Sequence, residues 1–228
     1  MATKYESFLP ELLPIVQGCP DYLITSNVRA ITVELCERAN IYQYELEPVS
    51  TVSNIYEYDL EPPADTVVHK ILWMTYSGET LEPITSTLLE QNLPKWREDA
   101  GYSGTPRFYV QQSNSSFWVA PIPSETAVNA IKLKVLLKPT FTSTVCNDDV
   151  MNNYRETIIN GALFRLLRVP NKDWSDMTSS QMYGSMYVTG IDEARRHVER
   201  SDGVARKVSY GGIRQRTRYR NRGWREGY

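Results

Sequence analysis

Cysteine and histidine are scarce in this chain of 228 residues: Cys19, Cys36 and Cys146 make up the first, His69 and His197 the second. An odd, widely spaced set does not build a disulfide framework, and no pair has the close spacing that zinc sites use. The thiols read as small core residues in a reducing compartment. Long apolar runs are missing too. The most hydrophobic short segments, Ile71 to Met74 and Val135 to Leu137, fall far below the ~20 residues needed to cross a bilayer, which excludes a helical span. No basic segment followed by an apolar one is seen near the start, so no secretion signal is visible and synthesis in the cytoplasm is expected. Glycine-rich phosphate loops are lacking, since Gly211-Gly212 stands alone without strand-to-helix context. With two histidines and no nucleophile motif around any serine, neither a Ser-His-Asp nor a Cys-His arrangement can be assembled. Carboxylates are plentiful, Glu45, Glu47, Asp59, Glu61 and Asp65 among them, but on alternating strands they read as solvated faces. The expectation is no catalytic residue, no cofactor and no metal.

What the chain does have is helical periodicity at both ends. Ser7 to Val16 places Phe8, Leu12, Leu13 and Val16 on one side, with Pro10 and Pro14 limiting its regularity. Asp21 to Ala39 gives a clear helix with Ile24, Val28, Ile31, Leu35 and Ala39 as its buried stripe. The longest pattern, Asn147 to Ser201, reads as a helical hairpin. Its first arm repeats Val150, Tyr154, Ile158, Ala162 and Leu166, with Ile159 and Leu163 widening the stripe. Asn147, Asp148 and Asp149 suit its positive end, and Pro170 stops it. A linker carrying Trp174 leads to Ser175 or Asp176 as the cap of a second arm, whose stripe is Met182, Tyr183, Tyr187, Ile191, Ala194 and Val198. Gly161 within the first arm costs about 1 kcal/mol relative to alanine unless the missing side chain is used, and close approach of another helix is that use. Tyr154, Ile158, Gly161, Ala162, Leu166 and Trp174 are accordingly the expected helix-packing residues.

Between these ends the period changes. Tyr42, Tyr44, Leu46 and then Ile55, Tyr56, Tyr58, Leu60 run through a stretch rich in aromatic and β-branched types. Val67 to Tyr76 and Leu81 to Ile84 flank the turn Ser77-Gly78-Glu79, and Pro106 to Gln111 and Ser116 to Ala120 flank Ser113-Asn114. Thr87-x-x-Glu90 predicts a capping box opening a short helix that ends before Pro94. Ala130 to Leu137 alternates apolar residues with lysines until Pro139. The fold class predicted is α+β: an antiparallel helical bundle from residues 1–41 and 145–203, an inserted β-rich module over 42–144, and an extended basic C-terminal arm over 204–228. Trp73, Trp96, Phe108, Tyr109, Phe117 and Trp118 could stack on bases or sugars, or form core and subunit contacts.

The net charge of -2 hides a split. From Gly203 onward eight cations face one carboxylate, +7, while the remaining 17 cations face 26 carboxylates, −9. An acidic body with a basic arm needs a partner for the arm: nucleic acid, another protein's acidic surface, or the acidic body of a neighbouring copy. Candidate contacts are Arg214, Arg216, Arg218, Tyr219, Arg220, Arg222, Trp224 and Arg225. Arginine with aromatic anchors suits bidentate pairing to carboxylates in a protein groove, and phosphate would accept the same guanidinium groups.

Four pieces of sequence carry a resemblance. They are Leu12-Leu-Pro14 with Gly18-Cys-Pro20, and Arg29-Ala30 with Glu34-Leu-Cys36. The other two are Pro94-Lys-Trp96 with Gly104-Thr-Pro106, and Gly161-Ala-Leu163-x-x-Leu166 with Pro170-Asn-Lys-Asp-Trp174. In this order they resemble the head-to-tail adaptor, or connector, proteins of tailed bacteriophages, the tail tubular protein A type included. The resemblance runs to about Gly203. It implies a helical bundle with a β insertion, no enzymatic activity, and a ring of twelve copies beneath the portal protein in the virion neck. A tail nozzle or other downstream tail protein would bind below, and DNA would pass through the lumen without specific binding. In such proteins a C-terminal arm commonly engages the portal. The alternative reading is a nucleic-acid-binding protein that uses the arginine-rich tail.

Overall fold

The structure, a computed structural model, describes residues 2–97 and 103–201. Helices and strands both contribute substantially, and the fold is mixed α+β. The first helical pattern breaks up: a 3-10 turn, Tyr5–Phe8, runs into the short helix α1, Leu9–Leu12, instead of one helix to Val16. Pro10 is harmless in the first turn, whereas Pro14 lacks the N–H that another turn would need. Phe8, Leu12 and Val16 are nevertheless fully buried. Helix α2 spans Asp21–Ala39 with all five stripe residues at 0% exposure. It ends on Asn40 in the left-handed conformation, φ 57°, which asparagine tolerates better than most residues.

The first arm of the hairpin is two helices, α4 (Asp148–Asn153) and α5 (Arg155–Leu166). Asn147 caps α4 by accepting a hydrogen bond from the Asp149 amide. The break falls at Tyr154, φ −116° and ψ 23°, after two asparagines that are weak helix formers. Helix α6, Met177–Ser201, forms the second arm. Tyr187, Ile191 and Ala194 are buried and Tyr183 packs on the core, but Met182 is 48% exposed, against the expected stripe. Five residues separate Met182 from Tyr187, so at ~100° per residue the two lie about 140° apart around the helix.

The middle of the chain makes two small sheets. The larger contains β2 (Gln43–Glu45), β3 (Val49–Thr51), β5 (Thr66–Tyr76), β6 (Glu79–Thr80) and β12 (Ala127–Pro139), in the order β2-β12-β5-β6 with β3 also on β12. The smaller contains β4 (Glu57–Asp59), β7 (Glu82–Pro83), β9 (Phe108–Gln111) and β10 (Ser116–Ala120), in the order β4-β10-β9-β7. The β5–β6 turn carries Ser77 at φ 49° and Gly78 at φ 92°, the pair of positive values that a tight hairpin needs. Strands β8 (Ser103–Gly104) and β11 (Ile122–Pro123) pair in parallel. Helix α3, Ser86–Asn92, begins two residues earlier than the capping box predicts, because Thr85 has the extended backbone of a cap and its hydroxyl accepts from the Leu88 amide. Strand β1 (Ala2–Lys4) pairs antiparallel with β13 (Val145–Asn147), tying the start of the chain to the entry of α4.

Register assigns the faces of the larger sheet. Ile131 opposite Tyr76, Leu133 opposite Met74, Val135 opposite Ile71 and Leu137 opposite Val68 share one face, and all eight are buried. Tyr58, Phe117, Val119 and Tyr109 of the smaller sheet join them in one apolar cluster, so both sheets turn their buried faces into a common core. The same cluster continues into Phe8, Leu12, Ile31, Ile158 and Leu166 of the helices. A second cluster, Leu89, Trp96, Val110 and Ala120, lies under α3 on the opposite face of the smaller sheet.

Candidate functional site

Helix α5 packs against both α2 and α6, and Gly161 is the reason it can. A Cβ there would lie 2.7 Å from Ile31 Cγ2 and 2.9 Å from the Tyr187 ring, so both neighbours use the space that the absent side chain leaves. Two further glycines, Gly184 and Gly190, do the same on α6: a Cβ would meet the Phe164 ring at 2.7 Å and Thr157 Oγ1 at 2.5 Å. Sequence reasoning missed both, because six residues at ~100° each set them about 120° apart around the helix and leave no one-face repeat to read. Ile158, Gly161, Ala162 and Leu166 are buried in this packing, and Tyr154 and Trp174 are half-buried against the core. Arg165 donates to Glu34 at 2.7 Å and Arg195 to the Arg38 carbonyl at 2.7 Å, fastening α5 and α6 to α2. The arm residues Arg214, Arg216, Arg218, Tyr219, Arg220, Arg222, Trp224 and Arg225 lie outside the described residues.

The surface these helices present is unusual. From Met177 to Ile191 helix α6 contains no charged residue, and Met177, Met182, Met186 and Val188 are 45–56% exposed. Beyond Ile191 the helix becomes charged, and a groove of about 540 Å³ opens between it and the start of α5, lined by Glu156, Thr157, Gly190, Glu193, Arg196 and His197. This lining mixes both charges without a buried acid or base.

Reactive chemistry is poorly supported elsewhere. Cys19, Cys36 and Cys146 are free and buried. Burial pushes the Cys146 thiol up to about 12 and the Cys36 thiol well above its ordinary range, so neither is a thiolate at neutral pH. Among the described residues no three His, Cys, Asp or Glu side chains come together as a metal site would require. No helix among them is long and apolar enough to cross a membrane. The aromatic candidates for base stacking are largely occupied: Trp96, Tyr109 and Phe117 are buried, and Arg97 of the same chain lies 4.3 Å from the Trp118 ring and 5.3 Å from that of Trp96. Trp73, 38% exposed, is the open one of the six.

The acidic charge is concentrated. Between Ile41 and Asp65 there are six carboxylates, Glu45, Glu47, Glu57, Asp59, Glu61 and Asp65, and no lysine or arginine. All six are exposed. What emerges is a rigid frame with surfaces of distinct character: an uncharged methionine-bearing helix, a strongly acidic edge and, by composition, a basic C-terminal segment.

No curated protein matches the chain. The model of the SU10 adaptor protein family does, over residues 18–214. The match takes in three of the four sequence motifs whole and the Gly18-Cys-Pro20 half of the first, leaves Leu12-Leu-Pro14 outside, and extends past Gly203 to Arg214. Covering most of the 228 residues, it shows that the chain belongs to the SU10 adaptor protein family, in agreement with its resemblance to phage head-to-tail adaptors.

Proposed function

We propose that the protein is a structural component of a phage virion, a head-to-tail adaptor that forms a ring beneath the portal, joins capsid to tail and lines the DNA passage without catalysing a reaction. The observation that carries this reading is the family match over residues 18–214. The physical features agree with it. A ring subunit must offer two different surfaces to its neighbours, because only a heterologous contact closes into a cyclic array. The glycine-spaced α2, α5 and α6 packing supplies a stiff wall, and a closed ring of twelve copies follows the family pattern. A body carrying −9 repels DNA phosphates and favours free transit of the duplex. Within this reading the arm from Arg214 to Arg225 grips acidic grooves of the portal through bidentate guanidinium contacts, with Tyr219 and Trp224 as anchors. A downstream tail protein occupies the opposite end of the ring.

The test is a full-length chain compared with one truncated before Ser209, each mixed with the purified portal protein of the same phage and imaged by negative stain. Rings docked on portals are expected for the full chain and are lost on truncation. Normal docking of the truncated chain would remove the arm from the portal contact.

A further inference from the structure

The β module has two outward faces of opposite charge, and this follows from register rather than from composition. On the larger sheet the residues that alternate with this core set are Lys132 opposite Thr75, Lys134 opposite both Trp73 and Glu45, Leu136, which is itself buried, opposite Lys70, and Lys138 opposite Val67. Four lysines and an exposed tryptophan therefore share one face with a single carboxylate, in a body that is otherwise acidic. Helix α2 reaches one corner, where Lys138 donates to Glu37 at 2.6 Å. Away from that corner Lys70, Trp73 and Lys132 are exposed, and among the described residues Lys70 and Lys132 make no ion pair. On the smaller sheet, Glu57 opposite Trp118 and Asp59 opposite Ser116 project from the face turned away from the shared core. They stand on β4, at the end of the strand order, and Glu61 follows after the buried Leu60. Both sheets turn their buried faces into one apolar cluster, so the lysine face of the one and the acidic edge of the other both point outward from the slab they form, and Asp59 and Glu61 flank a groove beside Glu47 and Val49.

We infer that neighbouring copies meet head to tail through this slab, the Lys70–Trp73–Lys132 face of one copy receiving the Glu57–Asp59–Glu61 edge of the next. The inference rests on the ring reading above and names the surface that closes it. Charge complementarity selects the occupant: three carboxylates spaced along an edge strand and its exit meet lysines spaced along β5 and β12. Trp73 supplies the large, partly apolar surface around which such contacts are usually strongest. Because donor and acceptor patches are different surfaces on different sheets, the contact is heterologous, and like patches of two copies repel, which disfavours a like-on-like two-fold dimer.

Charge reversal tests it with the full-length chain. Lys70→Glu with Lys132→Glu gives a copy acidic on both sides, and Glu57→Lys with Asp59→Lys a copy basic at the β4 edge as well as on the lysine face. All four side chains are exposed, and circular dichroism melting checks that each variant folds. Ring formation is followed by mass photometry with the portal protein of the same phage present. Each variant alone should lose rings by roughly tenfold or more, because like charges now face each other at every contact. An equal mixture of the two should recover rings of alternating subunits, a rescue that a merely structural effect cannot produce. Trp73→Ala should weaken assembly without altering its charge dependence. Rings from either folded reversal alone at the wild-type level, or no rescue on mixing, would overturn the interface while leaving the adaptor reading intact. Absence of any ring from the wild-type chain with portal present would overturn both.

Discussion

Gly161 stands where α5 meets two other helices, and one methyl group decides how well they fit. Alanine gains up to about 1 kcal/mol in helix propensity, but its Cβ would collide with Ile31 and Tyr187, which are 0% and 3% exposed and have nowhere to move. Overpacking of this kind costs about 1–3 kcal/mol, so Gly161→Ala should lower stability in urea denaturation by roughly 1–2 kcal/mol. Gly184→Ala should cost less, since the ring it meets is that of Phe164, half-buried and covered by the Arg168 guanidinium at 4.9 Å. Asp176 offers a charge-based counterpart. Its carboxylate accepts hydrogen bonds from the Ser179 hydroxyl and from the amides of Ser179 and Thr178, which hold its pKa below the ordinary 3.8. A folded-state pKa below the unfolded one stabilises the protein fully above the unfolded value, and that stabilisation is lost as pH falls through the folded value. Asp176→Ala should therefore melt below wild type at neutral pH, with the gap closing as pH drops below 3.8. An unchanged gap in acid would show that the carboxylate charge is irrelevant to the cap.

Helix α3 separates pattern from structure. The capping-box spacing pointed to Thr87, yet it is Thr85 that accepts from the Leu88 amide, with Thr87 exposed inside the helix. Thr85→Ala should cost about 1 kcal/mol, while Thr87→Ala should be neutral or stabilising by a few tenths; chemical denaturation of the two variants distinguishes them. Elements long enough for their period to repeat were legible: α2, α6, β10 and most of β5 and β12 lie where alternation or the helical stripe puts them. Short strands such as β6, β7, β8 and β11 were not, because two-residue pairings are set by distant partners and leave no local period. Periodicity reports that a face is buried without naming what covers it. Gly161 could thus be read as a close approach, but Ile31 and Tyr187 as its partners could not. Met182 entered the stripe for a related reason: on a long helix rich in apolar residues several registers fit, and only the neighbouring helix selects one. The charged faces of the β module needed the β5–β12 register, which includes two irregularities that a strict alternation would have carried onto the wrong side.

At the scale of the whole molecule, apolar contact crosses the points where the chain changes from helix to strand. Phe8, Leu12 and Leu166 belong to the same cluster as Phe117, Ile131 and Leu133. Lys138 with Glu37 and β1 with β13 tie the same boundary through polar contacts. A cluster shared in this way has no plane along which one part can open without exposing apolar surface on the other, so the described residues should unfold in one transition. Leu12→Ala, among the helices, and Leu133→Ala, in the larger sheet, are each expected to cost about 2–5 kcal/mol and to move that transition as a whole. Far-ultraviolet circular dichroism reports mainly the helices, while tryptophan fluorescence, read in a Trp174→Phe, Trp224→Phe background, reports the β module through Trp73, Trp96 and Trp118. Both signals should shift together in each variant. If Leu133→Ala moved the fluorescence midpoint and left the helical signal in place, the sheets would be an independent unit, and the β module could then swing relative to the helices. A slab free to swing could not hold its lysine face and its acidic edge at the fixed angle that closes a ring, so the single transition is also a mechanical requirement of the assembly inferred above.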